Sequence, residues 1–177
     1  MARPAPNKER PMFKHAAVQG ALAIILAVFF ASSSSWATTA QIVSWILNLI
    51  GIRATYVSTY FLMYVNVLDG FPVGFQVLLE CSGLLLMVIF GFISVFTIGL
   101  LKGPLSKKLI WFSLSLVVGF MWNVNRLVFV ISVAYYFGLT AFSIAHFILA
   151  PAIDFIWIVS MWSLGISWLK GKEAKAP

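Results

Sequence analysis

Three residues of this sequence have side chains suited to acyl-transfer chemistry: Cys81, Arg126 and His146. The thiolate of a cysteine is a strong nucleophile, and a neighbouring cation or base lowers the thiol pKa from its usual value of about 8.5. An arginine keeps its charge in any environment, so it can stabilise the oxyanion of an acyl intermediate. A histidine can return a proton to the leaving amine. The three side chains together predict transfer of an acyl group through a thioester.

Each of the three residues also has a purely structural interpretation. A lone cysteine in an apolar segment is commonly a small buried hydrophobe, and a histidine near a helix end can reach the membrane interface. An arginine within an apolar run is costly unless it is paired. Asp154 is the candidate partner of Arg126, because the helical rise puts the two residues within about 5 Å of the same depth. An ion pair between them and a catalytic role for Arg126 are not exclusive.

The residues next to the candidate nucleophile are polar or small, and they are expected to support it. Glu80, Ser82 and Gly83 flank Cys81 in the sequence. Glu80 either orients His146 or raises the pKa of the thiol by like charge, and the sequence leaves both possibilities open.

The remaining polar residues of the apolar runs suggest packing rather than chemistry. Asn123 and Asn125 are expected to form interhelical hydrogen bonds. The chain has one cysteine, which excludes an internal disulfide and any multi-cysteine metal site. The sequence therefore predicts neither a metal nor an organic cofactor.

The composition requires a membrane environment for these residues. The chain has 177 residues, of which 62% are hydrophobic and 10% charged, whereas a soluble domain is about half apolar and a quarter charged. A net charge of +7 would suggest a nucleic-acid partner for a soluble protein. Here the basic residues lie at the ends of long apolar runs, which is typical of signals for membrane topology. These patterns exclude a soluble globular domain.

The apolar runs predict a mainly α-helical, polytopic membrane bundle with about four transmembrane helices in one domain, residues 1–177. The predicted order is a tail (1–15), a first transmembrane helix (16–36), an extracytoplasmic segment (37–80), a second helix (81–101), a loop (102–108), a third helix (109–137), a fourth helix (140–169) and a second tail (170–177). Pro151 predicts a kink in the fourth helix. The first run ends in Ser-Trp-Ala and is alternatively a cleaved secretory signal.

The segment before the second helix has a different pattern. Residues 41–50 are short and amphipathic, which indicates a helix lying at the membrane interface. From Arg53 to Leu79, β-favouring residues recur and Asp69-Gly70 interrupts them, which predicts a small β-hairpin-like unit. This unit must lie outside the bilayer, because unpaired strands are strongly disfavoured in lipid.

The distribution of basic residues predicts the orientation. With four helices, both tails and the loop at 102–108 share one face, together with ten of the twelve Lys and Arg residues. That face is the cytoplasmic one. The chain is therefore expected to be a multi-pass plasma-membrane protein with both termini inside, and Cys81, Arg126 and His146 lie in its outer half.

From about Gly51 to Leu169, the sequence resembles the archaeosortase/exosortase family of membrane-embedded cysteine transpeptidases. Glu-Cys-Ser-Gly opens one helix, Asn-x-x-Arg lies in the next, and a histidine opens the last. The resemblance implies that Cys81 is the nucleophile, Arg126 stabilises the thiolate or oxyanion, and His146 is the acid and base.

The resemblance also implies the partners. Substrates would be exported proteins whose C-terminal tail has a short motif, a transmembrane helix and a basic cluster. The acyl group would pass to an amine or lipid acceptor on the outer side. Two other function classes stay open: a non-catalytic assembly or scaffold subunit that packs through glycines such as Gly91 and Gly119, and a small transporter with Arg126 and Asp154 as an ion site.

Overall fold

The protein is described by a computed structural model that covers residues 10–67, 70–78, 84–101 and 103–170. It is mainly helical with one small antiparallel sheet, as the sequence predicts. Its elements are α1 (Arg10–Phe30), α2 (Ser33–Leu49), β1 (Ala54–Val57), a 3₁₀ turn (Ser58–Tyr60), β2 (Leu62–Asn66), β3 (Pro72–Gln76), α3 (Leu84–Thr97), α4 (Leu105–Ile144), a π-helical turn (Ala145–Leu149) and α5 (Ala150–Lys170).

One helical stretch among the covered residues, Leu105–Lys170, is long and apolar enough to cross a membrane, and Leu86–Thr97 is a shorter apolar helix. The bundle of four transmembrane helices therefore remains a prediction. The long stretch is divided at Gly138, whose backbone angles of φ 80° and ψ 179° are accessible essentially to glycine alone. Two arms result, residues 105–137 and 139–170.

The two arms form an antiparallel hairpin. Near its open end, the ring centroids of Trp111 and Trp168 lie 5.4 Å apart. Nearer the corner, where the arms meet at Gly138, Val130 packs with Ala145 and Ala150 in one buried cluster. The hairpin therefore brings residues early in the first arm against residues late in the second.

A local distortion lies immediately before Pro151, where the sequence predicts a kink. The Ala150 N–H donates to the carbonyl of Ala145, five residues back. Proline has no N–H, and its ring clashes with the carbonyl four residues earlier, which is that of Phe147. A wider π-helical turn relieves this conflict, and such turns are frequent at functional sites. The turn contains His146.

The short interfacial helix predicted at residues 41–50 is the second half of the longer α2. The helix begins at Ser33 because the Ser32 hydroxyl accepts a hydrogen bond from the Ser35 N–H, which is the usual role of serine before a helix. It ends where Gly51 takes a positive φ of 88° and its N–H donates to the Asn48 carbonyl.

The β-hairpin-like unit is a three-stranded antiparallel sheet in the order β1-β2-β3. Gly70, at φ 77°, closes the turn between β2 and β3 by donating to the Val67 carbonyl at 2.8 Å. Met63 and Val65 of β2 are buried in a cluster with Leu47 of α2 and Leu127 of α4. This cluster fixes the sheet against the first arm of the hairpin.

Lys108, predicted as a charge of the loop 102–108, is fully buried in the first turn of α4. Its Nζ donates to the Gly99 carbonyl at 2.8 Å and to the Leu101 carbonyl. These carbonyls lie just beyond the end of α3, where a helix leaves acceptors without intrahelical partners. Lys108 therefore joins α3 to α4 and is not an exposed charge of the loop.

Candidate active site

His146 lies at the corner of the helical hairpin, within an aromatic cluster. Its ring stacks on Phe142 with centroids 5.3 Å apart and planes 5° apart. Phe147 meets the same imidazole edge-on at 4.8 Å. Phe142 also contacts Phe75 of β3, with ring centroids 5.2 Å apart. The aromatic contacts therefore orient the imidazole and link it to the sheet.

A groove of about 270 Å³ separates β3 from this corner. Residues of β3 form one wall, and α4 together with the π-helical turn forms the other. Its lining includes Phe75, Gln76, Leu139, Phe142 and His146. The groove is apolar apart from His146, Gln76 and the backbone of the strand, which suits a ligand with apolar side chains and backbone hydrogen-bonding groups.

Arg126 forms an ion pair with Asp154 across the middle of the hairpin. Both side chains are largely buried, at 15% and 13% exposed. The indole N–H of Trp122 donates to the other carboxylate oxygen of Asp154 at 3.1 Å. Arg126 Nε is buried, and no acceptor for it is found within the described ranges. The pair neutralises a charge that would otherwise be costly between apolar helices.

The structure brings Arg126 to a different cavity from that of His146. Arg126 lines a space of about 190 Å³ with Trp122, Asn125, Phe129 and residues of the second arm. A rise of 1.5 Å per residue puts His146 and Asp154 about 12 Å apart along that arm. The structure therefore shows two polar sites on the hairpin, one at its corner and one at mid-length.

Cys81 and its neighbours Glu80, Ser82 and Gly83 fall outside the described residues. In the sequence they occupy the connection between β3, which ends at Gln76, and α3, which begins at Leu84.

The two asparagines predicted to join helices have different surroundings. Asn123 is buried in α4. Asn125 is exposed and donates to the Met121 carbonyl of its own helix at 2.9 Å. Within the described ranges, the interhelical bond predicted for Asn125 is not formed. An asparagine that faces outward satisfies its amide on the preceding turn of its own helix instead.

Two residues that contact candidate site residues were not identified from the sequence. Trp122 binds Asp154 and Phe142 stacks on His146. Each lies four residues before a candidate, Trp122 before Arg126 and Phe142 before His146, so helical spacing puts each pair on one face. That spacing was the available signal, although it does not distinguish a functional neighbour from ordinary packing.

Comparison with known proteins gives one family. A family model described as transmembrane exosortase matches residues 10–163, which is most of the chain and includes the positions of Cys81, Arg126 and His146. No curated protein and no solved structure matches the chain.

Proposed function

The chain belongs to the transmembrane exosortase family, and from that membership we propose that it is a membrane cysteine transpeptidase. In this proposal Cys81 is the nucleophile and His146 the general acid and base. The substrates are exported proteins with a C-terminal tail that contains a short motif, a transmembrane helix and a basic cluster.

The proposed reaction has two acyl-transfer steps. The Cys81 thiolate attacks the scissile carbonyl carbon, the new C–S bond forms, and the carbonyl electrons move onto oxygen. The C–N bond then breaks, and the His146 imidazolium gives its proton to the departing amine. An acceptor amine next attacks the thioester, its proton passes to His146, and the thiolate leaves. The enzyme ends in its starting protonation state.

The observation that carries the proposal is the position of His146. It lines the groove beside β3, and the chain runs from the end of that strand towards Cys81 in the sequence. The stacked Phe142 holds the imidazole in one orientation, which general acid–base catalysis requires. The groove beside this imidazole offers room for a substrate segment.

Arg126 has a conditional role in this proposal. A donor stabilises an oxyanion only from about 2.7–3.1 Å, and the guanidinium now pairs with Asp154. Direct stabilisation therefore requires the guanidinium to turn from Asp154 to the substrate. Its Nε, for which the described part of the chain offers no acceptor, is the donor available for that contact. Without such movement, Arg126 contributes its charge and the packing of the hairpin.

The proposed location of the protein is the plasma membrane. The groove faces the outer side of the plasma membrane, both termini are cytoplasmic, and the acyl acceptor is an amine or a lipid on the outer surface. This orientation is supported by the basic residues at the ends of the apolar runs.

The decisive experiment replaces Cys81 with Ala. An exported reporter that carries a tail of the described type is co-expressed with the protein, and its processing is followed by the change in its size. We expect the Cys81→Ala variant to accumulate in the membrane while the reporter stays unprocessed. Unchanged processing would remove the enzymatic proposal and leave the two non-enzymatic functions, an assembly subunit and a small transporter.

A further inference from the structure

The hydrogen bonds between β2 and β3 determine which backbone groups of β3 face away from the sheet. The Val67 N–H donates to the Phe71 carbonyl, and the Val77 N–H donates to the Phe61 carbonyl. In an antiparallel pair, hydrogen-bonded and non-hydrogen-bonded residue pairs alternate. With the observed register, residues 71, 73, 75 and 77 therefore bond to β2. The backbone groups of residues 72, 74 and 76 point outward.

The edge strands β1 and β3 differ in the hydrogen-bond partners of their outward backbone groups. At β1, the Asn48 side chain donates to the Ala54 carbonyl at 2.8 Å and accepts from the Ala54 N–H at 3.1 Å. Both outward groups of Ala54 are thus satisfied, which protects this end of the β1 edge from pairing with another chain. At β3, no partner of this kind for Gly74 or Gln76 is found within the ranges that the structure covers.

Two residues on the outer edge of β3 also line the groove. Gly74 and Gln76 are exposed, and both line the cavity that His146 faces. Each offers one N–H donor and one carbonyl acceptor. Pro72 has no N–H, so the donors are confined to the end of the strand from which the sequence continues to Cys81. The facing wall supplies Leu139, Phe142 and His146.

We propose that the outer edge of β3 binds the substrate tail as an added fourth strand, an inference that rests on the proposed function. An extended peptide presents its own N–H and C=O groups at the spacing of a strand edge, and backbone pairing of this kind supplies affinity for many peptide ligands. Alternate side chains of the bound segment face the apolar corner, and the scissile bond lies near His146. The sorting motif is therefore recognised as an extended segment, and the bound segment is not helical.

Disulfide trapping tests this geometry directly. Since the chain has one cysteine, the Cys81→Ala, Gln76→Cys variant carries a single thiol at the strand edge. It is co-expressed with the tailed reporter, in which single cysteines are moved stepwise through the motif, and the membranes are oxidised. We expect efficient trapping at alternate tail positions and little at the positions between, since neighbouring side chains of a strand face opposite sides.

The matched control moves the thiol to the other edge. Thr55 of β1 is also exposed, but Asn48 occupies the outward backbone groups of the adjacent Ala54. The Cys81→Ala, Thr55→Cys variant should trap little at every tail position. Trapping that repeats every three or four tail positions, that is equal at both edges, or that is absent at Gln76 would overturn the proposal.

A backbone substitution provides a second readout in the enzyme with Cys81 intact. A Cβ on Gly74 meets Leu62 and Tyr64 side-chain atoms at 3.3 Å, so Gly74→Ala and Gly74→Pro share this crowding, and only the proline also removes the outward N–H. We expect processing by Gly74→Pro to be about 3–10-fold slower than by Gly74→Ala, the effect of one lost hydrogen bond. Equal rates would contradict strand addition. If Cys81→Ala abolishes processing but trapping does not alternate along the tail, strand addition is refuted and the enzymatic function stands. If trapping alternates but Cys81→Ala processes normally, the enzymatic function is refuted and strand addition stands.

Discussion

Two polar sites lie at different positions on the same helical hairpin. At the corner, His146 is surrounded by Phe142 and Phe147 and faces a groove. At mid-length, Arg126 pairs with Asp154, and the Trp122 indole N–H donates to the other carboxylate oxygen of Asp154. The first site borders the larger space, a groove of about 270 Å³. The second borders a cavity of about 190 Å³, and there the two carboxylate oxygens of Asp154 are bound by Arg126 and Trp122.

The two sites meet different requirements, one those of a reaction and the other those of helix packing. A reactive site must leave room and donors for a substrate, whereas a charge buried among helices must be neutralised to be tolerated. The groove at His146 meets the first requirement, and the Arg126–Asp154 pair meets the second. We therefore expect substitutions at the corner to affect processing more than stability, and substitutions at the pair to do the reverse.

Among substitutions at the two sites on the hairpin, the largest effect on processing is expected from His146→Ala. Loss of a general acid and base typically costs about 10²–10⁴-fold in rate. Processing of the tailed reporter should fall by that range, while the thermal midpoint in detergent stays near that of the parent protein. His15→Ala, near the start of α1, is the matched control and should process normally. A variant of His146 that processes at the parental rate would make the corner a packing site.

The Asp154→Ala variant should lose the most stability. It leaves the Arg126 charge buried without its carboxylate, which in buried pairs costs about 3–5 kcal/mol. The expected result is a clear fall in the thermal midpoint, measured by tryptophan fluorescence in detergent.

The double variant Arg126→Met, Asp154→Leu separates the packing of the pair from a role of Arg126 in the reaction. Replacing both members of a buried pair with apolar residues of similar size is commonly neutral or stabilising, so its midpoint should return to the parental range. If Arg126 only packs, processing returns as well. If the stable double variant processes the reporter at least about 100-fold more slowly, as for loss of an oxyanion donor, the guanidinium has a role in the reaction and the proposed division between the two sites is wrong.

Much of this arrangement could be predicted from the sequence. The helix at 41–50, the strand-rich segment and the two long apolar runs have strong periodicity or composition, and each of these elements is present. The possible Arg126–Asp154 pair followed from helical rise, and the structure contains it.

Other features depend on contacts between distant segments and have no local signal. In the sequence, the serines at 32–35 indicated the end of the first apolar run. A serine can also cap the start of the following helix, and Ser32 does so for α2. Lys108 looked like a loop charge because nothing local indicates the carbonyls of Gly99 and Leu101 that bind it. Whether His146 and Arg126 share a cavity depends on how each arm of the hairpin is rotated about its own axis. Spacing in the sequence does not determine this rotation.

The smallest effect is expected from Phe142→Leu, which keeps an apolar side chain but removes the ring between His146 and Phe75. An aromatic contact of this kind contributes about 0.5–1.5 kcal/mol, so processing should slow by about 2–12-fold as the imidazole loses its fixed orientation. Phe155→Leu on α5, where the parent ring is 67% exposed, is the matched control. Because the stacking acts on the orientation of His146, the loss should appear in kcat rather than in KM. An equal loss in both variants, or a loss confined to KM, would mean that the aromatic cluster shapes the groove without positioning the imidazole.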